Sequence, residues 1–213
     1  MTVPPYFKQV GFYNCSLAVL RMVLAQHQII LVENTLQDRV ISDYGKDYKS
    51  LWNPTIAKMA CEYGIQTTLY ASWPLLKPNI LPVAIVEYRK SPETFSARKY
   101  ENIHDKDTEP IPLPLSYKEM FLAIEKGCKT VYGKLTKNLI QEHLDNGDLI
   151  MISIKNNRLY PGKSNTSHSI LLYGYKVDMV YYHDPKWGER LQASFEKLEE
   201  AMQRVRVGIV FTV

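Results

Sequence analysis

Two runs toward the C-terminal end, His168 to Tyr175 and Met179 to Asp184, are apolar at successive positions and not only at alternate ones. A strand with one wet face alternates apolar and polar residues, so strands that do not alternate have to be covered on both faces. The two runs read as the arms of a hairpin inside a covered sheet. Leu149 to Ile154 reads as a further strand, with shorter ones at Thr130 to Gly133 and Val207 to Val213.

The first third of the chain is helical in pattern. From Asn14, a good N-cap residue, Cys15 to Ala25 is apolar on nearly every side except at Ser16 and Arg21, which predicts a helix running through the core. A second helix follows Glu33. A third starts at Asn53-Pro54, where proline suits the first turn, and stops at Gly64. Further helices are expected over Ser116 to Lys126, Lys137 to Leu144 and Ser194 to Arg204. Between Pro74 and Pro114 lie seven of the twelve prolines, and Glu87 to Glu109 mixes charges of both signs. That stretch reads as an extended excursion, at about 74–115, holding one strand at Val83 to Tyr88. Helices first and an antiparallel sheet afterwards make an α+β domain. A chain of 213 residues suits one such domain spanning 1–213.

Composition narrows the function classes. With 46% apolar residues and 15 tyrosines the chain has enough buriable surface to fold, which excludes wholesale disorder. The net charge of +4 is scattered instead of striped, so no nucleic-acid partner is expected. Cys15, Cys61 and Cys128 are odd in number, far apart in sequence and without a Cys-x-x-Cys pair, which argues against a disulfide framework or structural zinc. The N-terminus shows no basic region followed by an apolar run, and no window reaches the roughly 18 uninterrupted apolar residues of a membrane span. A soluble, cytoplasmic protein is the expectation.

Chemistry concentrates on Cys15. A thiol at the start of a helix feels the positive end of the dipole and unpaired amides, which favours thiolate. Taken alone, a cysteine in an apolar helix is more often a small core residue, which is how Cys61 and Cys128 are read. His168 and Asp184 change the balance. A hairpin turning about Lys176 sets them opposite one another with Cβ atoms about 5 Å apart. The carboxylate can then accept one imidazole N–H and leave the other nitrogen to the Cys15 proton, the nucleophile, base and orienter logic of a triad. His183 is a poor substitute, since alternation points it away from Asp184. Gln9, with Gly11 letting the segment fold back, offers a side-chain amide that with the Cys15 N–H would hold an oxyanion.

Gln9, then Asn14-Cys15-Ser16-Leu17-Ala18, then Ser167 to Tyr175, then His183-Asp184-Pro185 with Gly188, resembles the papain-like bacteriocin-processing peptidases that cut after double-glycine leaders. The order Cys then His, 153 residues later, is similar to the papain plan. The resemblance covers residues 3 to 64 and 116 to 213. It implies a papain-like fold with N-terminal helices packed on a C-terminal antiparallel sheet, and a cysteine peptidase acting on a peptide or protein without a cofactor. It carries the roles of oxyanion donor, nucleophile, general base and orienting residue to Gln9, Cys15, His168 and Asp184. Where those peptidases have Asp-Cys-Gly this chain has Asn14-Cys15-Ser16, and Ser16 in place of glycine is expected to narrow the approach to the thiol. Leu17-Ala18 with Arg21 to Leu24, Ser50-Leu51-Trp52, Tyr63-Gly64 and Phe195-Glu196 also resemble the guanylyl-cyclase-domain-containing proteins. That name implies GTP cyclisation, for which there is neither a glycine-rich phosphate loop nor a pair of metal-binding carboxylates. The same catalytic parts would serve a deamidase, isopeptidase or acyltransferase, and a silent site would leave a binding protein. Trp187 could cover the His168–Asp184 bond, although a tryptophan beside a turn is as often plain packing, and the Lys155 to Lys163 loop, whose cations could line the cleft, reads first as a solvated connection.

Overall fold

The computed structural model describes residues 2–11, 14–32, 34–45, 51, 53–92, 95, 114–202 and 207–213. Its centre is a seven-stranded sheet in the order β2-β1-β7-β3-β4-β5-β6. The strands are β1 (Thr67–Ala71), β2 (Lys129–Tyr132), β3 (Leu149–Lys155), β4 (Ser167–Lys176), β5 (Met179–Asp184), β6 (Gly188–Ser194) and β7 (Gly208–Phe211). Every neighbouring pair is antiparallel except β1 with β2, which is parallel.

The strands without alternation are explained by cover on both faces. Met151 and Leu171 point to one core, with α1 (Cys15–Gln26), α2 (Thr35–Tyr44), α3 (Asn53–Glu62), α4 (Leu81–Lys90) and α5 (Pro114–Glu125). Their neighbours Ile150, Ile152, Ile170 and Leu172 point to a second core with α6 (Lys137–Asp145), the single turn α7 (Asn156–Leu159) and α8 (Phe195–Met202). The molecule is thus an α+β domain in which the N-terminal helices lie on one face of the sheet. Among the described residues no helix is long and apolar enough to cross a membrane.

Helix α1 is buried from Ser16 to Leu20 and again from Met22 to Ala25, because it is wedged between β4 and the helices α2 and α3. It ends where Gln28 takes the left-handed φ of 63° and the Ile29 N–H closes on the Leu24 carbonyl at 2.9 Å. On the outer side of α3 a buried ionic cluster ties three helices together. Lys58 Nζ lies 2.9 Å from Glu119 Oε2, and the Tyr44 hydroxyl, 2.8 Å from the ammonium, donates to the same carboxylate at 2.6 Å.

Several expectations need correction. Val83 to Tyr88 is not a strand but the body of α4. Pro82 sits in its first turn, Ala84 and Tyr88 are buried one helical turn apart, and Val83 and Val86 are exposed, a period of 3.6 that a short apolar run disguises. Residues 93, 94 and 96–113 of the proline-rich excursion lie outside the described residues. The strands β1 and β6 were not anticipated, and the expected helix end at Arg204 falls among residues not described. The hairpin turns at Val177-Asp178, not at Lys176: Lys176 pairs with Met179, Leu171 pairs with His183, and an irregularity falls between Leu172 and Gly174. His168 and Asp184 are therefore diagonal rather than directly opposite. A Cβ at Gly208 in β7 would overlap Leu135 Cδ1, so a larger residue there has to displace that buried side chain.

Candidate active site

Cys15 is the first residue of α1 and is partly exposed. The Asn14 side chain does not cap the helix as anticipated; its Nδ2 donates to the Val10 carbonyl at 2.6 Å, closing the loop that leads into the helix. Ser16, the residue expected to crowd the thiol, is buried and turned instead toward β4, where its hydroxyl meets that of Ser169 at 3.0 Å. This contact joins the residue after Cys15 to the residue after His168. Ser169 also approaches the Cys15 thiol, through both its backbone and its hydroxyl.

His168 lies at the start of β4, buried, with Nε2 2.7 Å from Asp184 Oδ1. The diagonal register suffices because such neighbours stay within reach of long side chains across a strand pair. The Cys15 thiol is near enough to the ring for each group to act on the titration of the other. Asp184 is fully enclosed and each of its oxygens is satisfied. Oδ1 accepts the backbone N–H groups of Lys186 (2.8 Å) and Trp187 (3.0 Å) as well as the imidazole, and Oδ2 accepts the Tyr160 hydroxyl at 2.6 Å. A buried carboxylate with this many donors is held as an acceptor of fixed orientation.

The electrostatics follow from these contacts. Burial alone pushes the Cys15 thiol up, but hydrogen bonding to His168, the imidazole charge and Ser169 together bring it below its ordinary value. Burial alone pushes His168 down, yet hydrogen bonds to Asp184 and Cys15 and the charges of both raise it to about 9. Both shifts favour the thiolate–imidazolium form of the pair over the neutral form.

Gln9 is fixed by its backbone, whose N–H donates to the Pro185 carbonyl at 2.9 Å, directly after Asp184. Gly11, at the left-handed φ of 79°, turns the chain back as anticipated. The side chain is spent locally: Nε2 donates to the Gly11 carbonyl at 2.7 Å, while Oε1 is buried without a partner. The structure brings Cys15, His168 and Asp184 together, and Gln9 beside the Asp184 turn with its amide hydrogen directed into its own loop. His183 is engaged elsewhere. Its Nε2 donates to the Pro4 carbonyl at 2.9 Å and its Nδ1 accepts the Arg190 N–H at 3.0 Å, which straps the N-terminal segment onto β5.

Tyr160 and the nearness of Cys61 to Cys128 escaped the sequence, whereas Trp187 was already expected beside Asp184. Tyr160, from the turn after α7, supplies the second anchor of Asp184; a tyrosine in a polar loop carries no signal of its own until the fold closes that loop over β5. Trp187 covers Tyr160, with ring centroids 5.8 Å apart, and the ammonium groups of Lys163 and Lys186 lie 4.5 and 5.0 Å from the indole centroid. Cys61 and Cys128, 67 positions apart and read as separate core thiols, are neighbours at Thr67, the first residue of β1. Among the described residues no group of three or more His, Cys, Asp and Glu is placed to hold a metal ion.

The Peptidase C39-like family matches residues 2–206. The chain belongs to that family, a family of cysteine peptidases. This C39-like chain is also similar to a double-glycine-motif protease from an AMS/PCAT transporter solved with its leader peptide, at 15% identity over 99% of this chain and 92% of that one, with a TM-score of 0.48. A second solved structure, described as a C39-like peptidase from Bacillus anthracis, is 16% identical over 99% of this C39-like chain and 97% of its own, with a TM-score of 0.45. No curated protein matches. None of these matches supports the resemblance to guanylyl-cyclase-domain-containing proteins.

Proposed function

We propose that this protein cleaves an amide bond in a peptide or protein through a thioester on Cys15. The observation that carries the reading is the 2.7 Å hydrogen bond between His168 and the buried Asp184 carboxylate, with the Cys15 thiol at the helix start close enough to act on the titration of the imidazole. The thiolate attacks the carbonyl carbon, and the Cys15 N–H at the helix start receives the developing oxyanion. Gln9 takes the second oxyanion position once its amide leaves the Gly11 carbonyl. His168, protonated at neutral pH, delivers its proton to the leaving amine. It then takes a proton from the water that hydrolyses the thioester, while Asp184 holds the ring in one orientation throughout.

Deamidation, isopeptide cleavage and acyl transfer would pass through the same thioester and differ only in amine and acceptor.

The test is the reactivity of Cys15 toward a thiol-directed electrophile. Comparison with Cys61 alone does not discriminate, since Cys61 is also partly exposed and its thiol is lowered. Dependence on His168 does. His168→Ala should slow alkylation of Cys15 near neutral pH and leave the alkylation of Cys61 unchanged; equal rates at Cys15 in the two proteins would overturn the assignment.

A further inference from the structure

We propose that Cys61 and Cys128 form a dithiol that a hydroperoxide oxidises to an intramolecular disulfide, a covalent site separate from Cys15. The topology places them together. Cys61 lies in the last turn of α3, with its Sγ 2.7 Å from the Thr67 hydroxyl at the start of β1. Cys128 immediately precedes β2, whose Lys129 pairs with Thr68 in parallel register. One step back along both strands sets Cys128 beside Thr67. The two sulfurs thus flank one threonine, and each thiol interacts with the other and with that hydroxyl.

The two thiols are unlike in a way that suits sequential chemistry. Cys61 is half-buried and reachable from solvent, whereas Cys128 is buried. The Cys128 and Thr67 hydrogen bonds favour the Cys61 thiolate, with burial opposing them; Cys128, hydrogen-bonded to Cys61 and buried, is correspondingly raised and keeps its proton. That is the arrangement of an attacking and a resolving cysteine.

In the first step the Cys61 thiolate attacks the distal peroxide oxygen: an S–O bond forms, the O–O bond breaks, and the alcohol or water leaves with a proton. The Cys61 sulfur is oxidised by two electrons and the peroxide is reduced. In the second step the Cys128 sulfur attacks the Cys61 sulfur, forming S–S and breaking S–O, and the departing hydroxide leaves as water with the Cys128 proton. The product fastens the end of α3 to the start of β2, a link between helix layer and sheet edge that does not involve the proposed catalytic residues.

The experiment treats the native protein with hydrogen peroxide, blocks remaining thiols by alkylation, and maps the digest by mass spectrometry without reductant. The expected product is one cross-linked peptide pair containing Cys61 and Cys128, lighter by two hydrogens and released by dithiothreitol. It should form equally in the Cys15→Ala protein. Cys128→Ser should stop the reaction at a sulfenic acid on Cys61 that a 1,3-dione captures. The proposal is overturned if Cys61 and Cys128 both remain alkylatable when Cys15 has been oxidised, or if the disulfides found join different molecules. Because the cross-link is read in the wild-type chain, a folding defect in either variant does not obscure the result.

Discussion

Asp184→Asn removes a charge from the centre of the site while preserving its shape. The Asn carbonyl oxygen can still accept the Lys186 and Trp187 amides and the imidazole, and its amide nitrogen can donate to the Tyr160 oxygen, so the hydrogen-bond count is conserved. What is lost is the stabilisation of the imidazolium. Raising His168 from its ordinary 6.5 to about 9 corresponds to about 3 kcal/mol favouring the charged ring. Asp184 and Cys15 supply it against the penalty of burial. Loss of half of that amount is about 1.7 kcal/mol, a fall of about 18-fold in the ratio of the ion pair to the neutral pair. The sign is fixed by linkage. The raised His168 contributes stability that is complete below 6.5 and is lost as pH rises through about 9. The lowered Cys15 contributes stability present above its ordinary 9.0 and lost as pH falls through its folded value. The ion pair occupies the window between the two folded values, and Asp184→Asn should shrink that window from its alkaline side. The assay is the alkylation rate of Cys15 followed peptide by peptide from acid to alkaline pH, with Cys61 as the internal reference. A profile for Asp184→Asn that superimposes on wild type would refute the reasoning, because it would mean the carboxylate charge does not reach the thiol.

Tyr160→Phe leaves Asp184 Oδ2 buried and short of a donor, and should cost about 1–3 kcal/mol in urea unfolding; the same substitution should shift the pH profile of Cys15 alkylation, which a purely structural role would leave in place. Lys58→Met strands the Glu119 carboxylate among α2, α3 and α5 and should destabilise by about 3–5 kcal/mol, whereas the double change Lys58→Met with Glu119→Leu should recover most of it in the same unfolding assay. Gly208→Ala forces a Cβ against the buried Leu135 side chain and should lower stability by about 1–3 kcal/mol, with Leu135→Val on the same chain restoring part of the loss.

What could be read from the sequence was whatever local pattern determines. The nearly continuous apolar character of Cys15 to Ala25 and of both hairpin arms announces burial on all sides; the helix is wedged between β4 and its neighbouring helices, and the hairpin arms separate two cores. The turn position was misjudged by one residue because Val177 takes a left-handed φ of 57°, a conformation that a β-branched residue does not advertise. The pairing of His168 with Asp184 was anticipated all the same, since side chains this long reach a diagonal neighbour as well as a direct one. Tyr160 and the Cys61–Cys128 neighbourhood were illegible for a different reason. Each depends on contacts between elements distant in the chain, made by residues whose own surroundings in sequence are unremarkable. Helix α4 was lost because a short run with valine and isoleucine favours a strand until tertiary burial of Ala84 and Tyr88 selects the helical period.

The central claim is that hydrolysis runs through the Cys15 sulfur. A peptide library digested side by side with wild type and with Cys15→Ala tests it most directly, the products being sequenced by mass spectrometry. The account predicts a defined set of cleavages with wild type, trapping of an acyl group on Cys15 under acid quench, and complete loss of both in Cys15→Ala. The same cleavages at an undiminished rate with Cys15→Ala would contradict it.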